Sequence, residues 1–158
     1  MYEFENLKYN QVAIFNKKIS CGLGKDLIKN NKLNKDSIKK AMNALYYIKE
    51  LIDSSNIKNY EIFATEAVRV AKNRDAFIAD AENILKKKIH VLTGDEEAKF
   101  SAMGCIVGLK KSNGLVADLG GGSLELAEVK KKEIMNTLSL PLGVHRAKSK
   151  NNKIIDKF

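Results

Sequence analysis

Asp118-Leu119-Gly120-Gly121-Gly122-Ser123-Leu124-Glu125 is the stretch on which the reading of the chain turns. Ahead of it runs Gly114-Leu115-Val116-Ala117, apolar and uninterrupted like a buried strand. Behind it, Leu124-Glu125-Leu126-Ala127-Glu128-Val129 alternates like a second strand. Strand, triple glycine, strand spells a hairpin with bare backbone at its tip. Glycines lack a Cβ, so they reach positive φ and let backbone N–H groups close on an anion. Gly120, Gly121, Gly122 and Ser123 are therefore a candidate phosphate loop. Asp118 precedes the tip and Glu125 follows it, so both carboxylates can face one pocket. Acids beside a phosphate cradle point to Mg²⁺, a hard cation that takes oxygens from protein and phosphate together. A plain turn flanked by solvated acids would share the glycines. The serine, the paired acids and the strands on both sides favour the phosphate loop.

Three further stretches carry chemistry. Ala64-Thr65-Glu66-Ala67-Val68-Arg69 lies where a strand gives way to a helix, the end of a strand at which α/β proteins place ligand sites. There Thr65 can donate to a phosphate oxygen and Arg69 can clamp one. Alternatively, Thr65 is only a helix cap and Arg69 a surface residue. Thr93-Gly94-Asp95-Glu96-Glu97-Ala98 opens another helix. Acids in a first turn suit the helix dipole, but a third is more than capping needs, which leaves Glu97 free to face the cleft as a base. Ser139-Leu140-Pro141-Leu142-Gly143-Val144-His145-Arg146 reads as a turn into a helix, with Gly143 permitting a close approach.

The remaining segments set these motifs on a scaffold. Met1 to Phe4 and Val12 to Ile19 read as short strands. Asn34 caps a helix through Leu51, on which Ile38, Ala41, Met42, Leu45 and Ile48 recur at helical spacing. Tyr60 to Thr65 and Ile89 to Leu92 read as strands, and Asn73 as the cap of a helix between them. A helix runs from Gly94 to about Leu109, with Cys105 expected in the core. Ile134 to Leu138 adds a strand. Alternation of this kind predicts an α/β fold with a mixed sheet.

Composition narrows the function. The 158 residues carry a net charge of +9, with 44% apolar and 30% charged residues, as a soluble globular protein does. That charge suggests an anionic partner, nucleic acid, polyphosphate or a nucleotide, and a general Lys- and Asn-rich composition bias is the alternative. The lysine clusters, Lys86 to Lys88, Lys130 to Lys132 and the tail from Lys148, are not interleaved with aromatics, which argues against nucleic acid. Two cysteines without a CxxC pair and two histidines give no zinc site. No stretch is long and apolar enough to span a membrane, and no signal-peptide pattern opens the chain, so the expected location is cytoplasmic.

Taken in order, "ATEAVR", "TGDEEA", "DLGGGSLEL" and "SLPLG" resemble the exopolyphosphatase/guanosine pentaphosphate phosphohydrolase (Ppx/GppA) family. That resemblance covers about Val12 to Arg146. It implies an actin-like ATPase (ribonuclease H-like) fold, here most of the first domain (1–110) plus the opening hairpin of the second (111–158). It also implies hydrolysis of phosphoanhydride bonds in inorganic polyphosphate or guanosine pentaphosphate, with Mg²⁺. On this likeness Glu97 matches the water-activating base, Asp118 and Glu125 match metal-binding or water-orienting acids, Gly120 to Ser123 match the phosphate loop, and Arg69 matches a phosphate-contacting arginine. Leu124 stands where the family usually has Thr, and Lys99 where it usually has Arg. Family members open with an Asp-x-Gly-Ser-Asn-Ser-like loop that this sequence does not contain. The expectation is therefore a truncated chain of impaired activity. Its alternatives are an inactive phosphate- or nucleotide-binding fragment, or half of a split enzyme joined to a complementary chain or a second copy.

Overall fold

In a computed structural model, described for residues 15–109 and 113–149, two small layered units share one face. The first is built on helix packing. A short helix α1 (Leu27–Asn30) leads to α2 (Lys35–Ser54). Asn34 starts α2 as expected: its backbone is extended and its side-chain oxygen accepts the Ser37 N–H at 2.7 Å. Strand β1 (Phe63–Ala64) and the one-turn helix α3 (Glu66–Arg69) follow, then α4 (Arg74–Leu85) and strand β2 (His90–Val91). β1 and β2 pair in parallel, Phe63 opposite His90 and Ala64 opposite Val91. Apolar residues in and between α1, α2, α3 and α4 make the core: Leu27, Leu33, Ala41, Val68, Ala71 and Phe77.

The second unit is a helix on a sheet. Helix α5 (Gly94–Gly108) lies over the antiparallel strands β3 (Gly114–Leu119), β4 (Leu124–Lys130) and β5 (Glu133–Leu140), with helix α6 (Val144–Ser149) beyond. α5 opens with a complete capping box: Thr93 accepts the Glu96 N–H, and the Glu96 carboxylate accepts the Thr93 N–H at 2.8 Å. Strand alternation places Glu125, Ala127 and Val129 under α5, where Ala102 and Ile106 meet them. The opposite face of the sheet stays open, with Leu115, Leu119 and Leu138 all at least half exposed. β4 and β5 turn through Lys131 and Lys132, both at positive φ.

Five expectations change. The run Gly114 to Ala117, read as a buried strand, is a mostly exposed edge strand, because α5 covers one sheet face only and Val116 alone of the four is half-buried there. Residues 15–19 form no strand, and the rest of that strand, like Met1 to Phe4, lies outside the described residues. The strands at Tyr60 to Thr65 and Ile89 to Leu92 shrink to two residues each. Asn73 precedes α4 but makes no cap bond: its amide instead accepts the Leu33 N–H and donates to the Leu33 carbonyl, 40 positions away in sequence. Cys105 is exposed, because the buried stripe of α5 runs Ala98–Ala102 toward Ile106 and Cys105 sits one residue off it.

Candidate active site

Hairpin register sets the acids side by side. Asp118 pairs with Glu125 and Leu119 with Leu124, so the two carboxylates project from one sheet face, the α5 face. Glu125 is 2% exposed and accepts the Ser139 hydroxyl at 2.9 Å. Asp118 is exposed and accepts the Ser101 hydroxyl of α5 at 2.6 Å. Gly94, at the start of α5, has no room for a Cβ against Ser139, so this glycine lets helix and strand close together.

Between the strands the loop is shaped by its backbone. Gly120 N–H returns to the Ser123 carbonyl at 2.9 Å. The Gly120 and Gly121 carbonyls accept the first-turn N–H groups of Val144 and His145 at 3.0 and 2.9 Å. The Gly122 carbonyl accepts Arg146 Nε at 2.8 Å. With the carbonyls held on one side, the N–H groups of Gly121, Gly122 and Ser123 donate to nothing among the described residues. A Cβ on Gly143 would overlap the Gly121–Gly122 backbone, and one on Gly122 would overlap the Glu66 carboxylate. Glycine is needed at both positions for close approach, the need anticipated for Gly143 and for the loop.

A cleft of about 160 Å³ lies over this loop. Gly120 to Ser123 and Glu97 line it, joined by Thr65, Glu66, His145 and Arg146. Four stretches separated in sequence thus meet at one place. Thr65 is the residue before α3, and its hydroxyl makes no cap bond.

Glu97 and its neighbour Glu96 divide their tasks. Glu96 turns back to cap the helix, and the Thr93 N–H and hydroxyl hold its carboxyl below the ordinary range. Glu97 points to the cleft with 16% of its side chain exposed. Burial pushes its carboxyl upward; a hydrogen bond from Arg69 opposes the shift, while the charges of Glu125 and Asp118 add to it.

Arg69 is placed differently from a phosphate clamp. Its Nη1 donates to Glu97 Oε2 at 2.8 Å and to the Leu92 carbonyl at 2.6 Å, and Arg69 is not among the cleft-lining residues. It reaches the site through Glu97. Two residues that the sequence did not single out sit closer to the loop. Glu66, 8% exposed, accepts Arg146 Nη2 at 2.9 Å beside Gly122. Their signal lay inside the stretches already marked, since Glu66 follows Thr65 and Arg146 ends the Gly143 turn, but nothing in the sequence showed that they pair.

Comparison with known proteins shows what the chain is similar to. A sequence profile described as the Ppx/GppA phosphatase family matches residues 6–153. A bifunctional 3-dehydroquinate synthase/phosphatase of Fusobacterium nucleatum is 36% identical over 140 residues, covering 84% of this chain and 21% of the relative. A guanosine-5'-triphosphate,3'-diphosphate pyrophosphatase of Aliivibrio fischeri is 31% identical over 134 residues, covering 84% of this chain and 26% of its own. The crystal structure of the Aquifex aeolicus Ppx/GppA member superposes with a TM-score of 0.77 at 26% identity, covering 91% of this chain and 47% of that one. An exopolyphosphatase from Cytophaga hutchinsonii has the same fold at a TM-score of 0.81 and 24% identity, over 99% of this chain and 48% of that one. The chain thus spans about a quarter of the length of these curated relatives. Its fold is the α/β actin-like ATPase fold of those solved structures. The profile match over residues 6–153 and the shared architecture establish that the chain belongs to the Ppx/GppA phosphatase family.

Proposed function

We propose that this chain carries the phosphate-holding and water-activating face of a phosphohydrolase acting on phosphoanhydride bonds, with inorganic polyphosphate or guanosine pentaphosphate as substrate. One observation carries the reading: Gly121, Gly122 and Ser123, whose N–H groups make no hydrogen bond among the described residues, line the same cleft as a carboxylate whose pKa is raised. Phosphoryl transfer to water needs a base in reach of the water and donors on the oxygens that gather charge. Glu97 supplies the first. Its Oε2 is held by Arg69, and Oε1 makes no hydrogen bond among the described residues, so Oε1 is the oxygen that can take the water's proton. The loop amides supply the second.

Mg²⁺ fits as a companion of the substrate. Among the described residues no group of three or more Asp, Glu, His or Cys side chains could hold an ion. Asp118 and Glu125 offer two carboxylates on one face, and Mg²⁺ is commonly held by one or two carboxylates plus phosphate oxygens. When bound it would neutralise charge on the phosphates.

The Arg69–Glu97 pair favours a second reading, in which the site holds phosphate without cleaving it, because a carboxylate bound to a guanidinium is a weaker base. One experiment addresses both. NMR titration with tripolyphosphate should shift the Gly121, Gly122 and Ser123 amides first, and further with Mg²⁺. Shifts confined to Lys130–Lys132 or the lysine-rich tail would overturn both readings. Phosphate release that disappears in Glu97→Gln selects hydrolysis; loop binding without release selects the second.

A further inference from the structure

Arg146 stands apart from the cleft's other side chains because it holds two parts of the site at once. Its Nε donates to the Gly122 carbonyl at 2.8 Å and its Nη2 to Glu66 Oε1 at 2.9 Å. Glu66 in turn is fixed in the short α3 and nearly buried, and its carboxylate fills the space a Gly122 side chain would need. The planar guanidinium therefore fastens the loop of the second unit to α3 of the first. A carboxylate lining a phosphate cleft repels an anion unless a cation compensates it, and Arg146 is the cation placed to do so.

We propose that Arg146 and Glu66 are a positioning pair for the phosphate loop. Arg146 fixes the Gly122 carbonyl and with it the Ser123 N–H of the same peptide plane, and Glu66 anchors Arg146 in the orientation that allows it. The proposal rests on the reading of Gly121–Ser123 as the phosphate loop and adds two residues to it. It makes an unusual demand of Glu66: removing a negative charge from an anion cleft should weaken the anion's binding.

The test is tripolyphosphate titration of the full 158-residue chain, followed by amide NMR, for wild type, Arg146→Ala, Arg146→Lys, Glu66→Ala and the double Arg146→Ala/Glu66→Ala variant. Arg146→Ala should weaken binding roughly tenfold or more, the effect of losing one charge-assisted hydrogen bond. Lys should not rescue it, since an ammonium lacks the fork that spans both acceptors. Glu66→Ala should also weaken binding, and the double variant should be no weaker than Arg146→Ala, because the pair acts as one unit. Tighter binding in Glu66→Ala, additive losses in the double variant, or wild-type affinity in Arg146→Ala would each overturn the pairing. If wild type itself shows no loop shifts, the phosphate-loop reading has failed instead. Arg146→Lys retains the charge, so it serves where the alanine variants do not fold, and wild-type affinity there would equally overturn the proposal.

Discussion

Arg69 grips Glu97 and the carbonyl of Leu92 with a single nitrogen, Nη1, at 2.8 and 2.6 Å. Leu92, between β2 and the capping box, the last residue of α3 and the candidate base are thereby tied in one knot. Arg69 consequently bears on the protonation of Glu97 rather than on the cleft surface.

The Glu97 carboxyl should titrate above the ordinary carboxylate range, as read by carboxyl NMR. Its shift comes first from burial, with Glu125 and Asp118 adding and Arg69 opposing. Arg69→Met should move the midpoint higher still, and Asp118→Asn should lower it. Because the folded pKa is raised, this group's contribution to stability is present below the unfolded pKa and is lost as pH rises through the folded value. Hydrolysis by a Glu97 base runs the other way, falling as pH drops through the same value. A midpoint at or below the usual range in wild type would contradict the assigned environment.

Gly143→Ala and Gly104→Ala should differ in sign. A Cβ at Gly143 overlaps the loop backbone, and overpacking of this kind costs about 1–3 kcal/mol. Gly104 lies inside α5 with nothing near its missing Cβ, so alanine there should stabilise by about 0.5–1 kcal/mol through helix propensity. Urea unfolding of the two variants checks both signs.

Asn73→Ala should cost about 1–3 kcal/mol, more than the loss of an ordinary helix cap, because it leaves both polar groups of the Leu33 backbone without their partner. Asn34→Ala, which removes only the cap of α2, should cost about 1 kcal/mol. Equal losses in unfolding experiments would mean that the Asn73 clamp contributes no more than a cap.

Replacing Lys131-Lys132 by Asn-Gly should stabilise the chain. Both lysines sit at positive φ in the two-residue turn between β4 and β5, a conformation costing roughly 1–2 kcal/mol per ordinary residue. Asn-Gly is the pair such a turn prefers. A rise in thermal midpoint without loss of tripolyphosphate shifts is the expected result.

Mg²⁺ alone should perturb the site little, and Mg²⁺ with tripolyphosphate strongly, since the described residues offer no ready cluster of three or more ligands. Asp118→Asn should abolish the Mg²⁺-dependent part of binding and spare the loop shifts seen without the ion. Isothermal titration separates the two terms.

The hairpin was legible because its evidence is local. The strand-like runs on both sides of the glycines marked the hairpin whose register sets Asp118 opposite Glu125, and the spare acid in the first turn of α5 marked Glu97. Asn34 was legible as a cap for the same reason. Asn73 carries the same cap signature, yet its amide is recruited by Leu33, a contact that only the packing of α4 near that segment creates. Arg69 likewise has a motif that suits phosphate but a neighbour, Glu97, 28 positions on, that takes its charge. Cys105 was misplaced because a helix with several apolar faces does not disclose which one meets a sheet; Ala98 and Ala102 decide it. Glu66 and Arg146 lie 80 positions apart, and no periodicity links them.

The contact of Gly143 with the Gly121–Gly122 backbone bears on how such a site could be transplanted. Grafting only the eight residues from Asp118 to Glu125 onto another hairpin would carry over the glycines but not their conformation, which Val144, His145 and Arg146 impose through the loop carbonyls. The smallest portable unit is the continuous stretch from Asp118 to Arg146, β5 included, and it would still need a carboxylate from its new host to stand where Glu66 does.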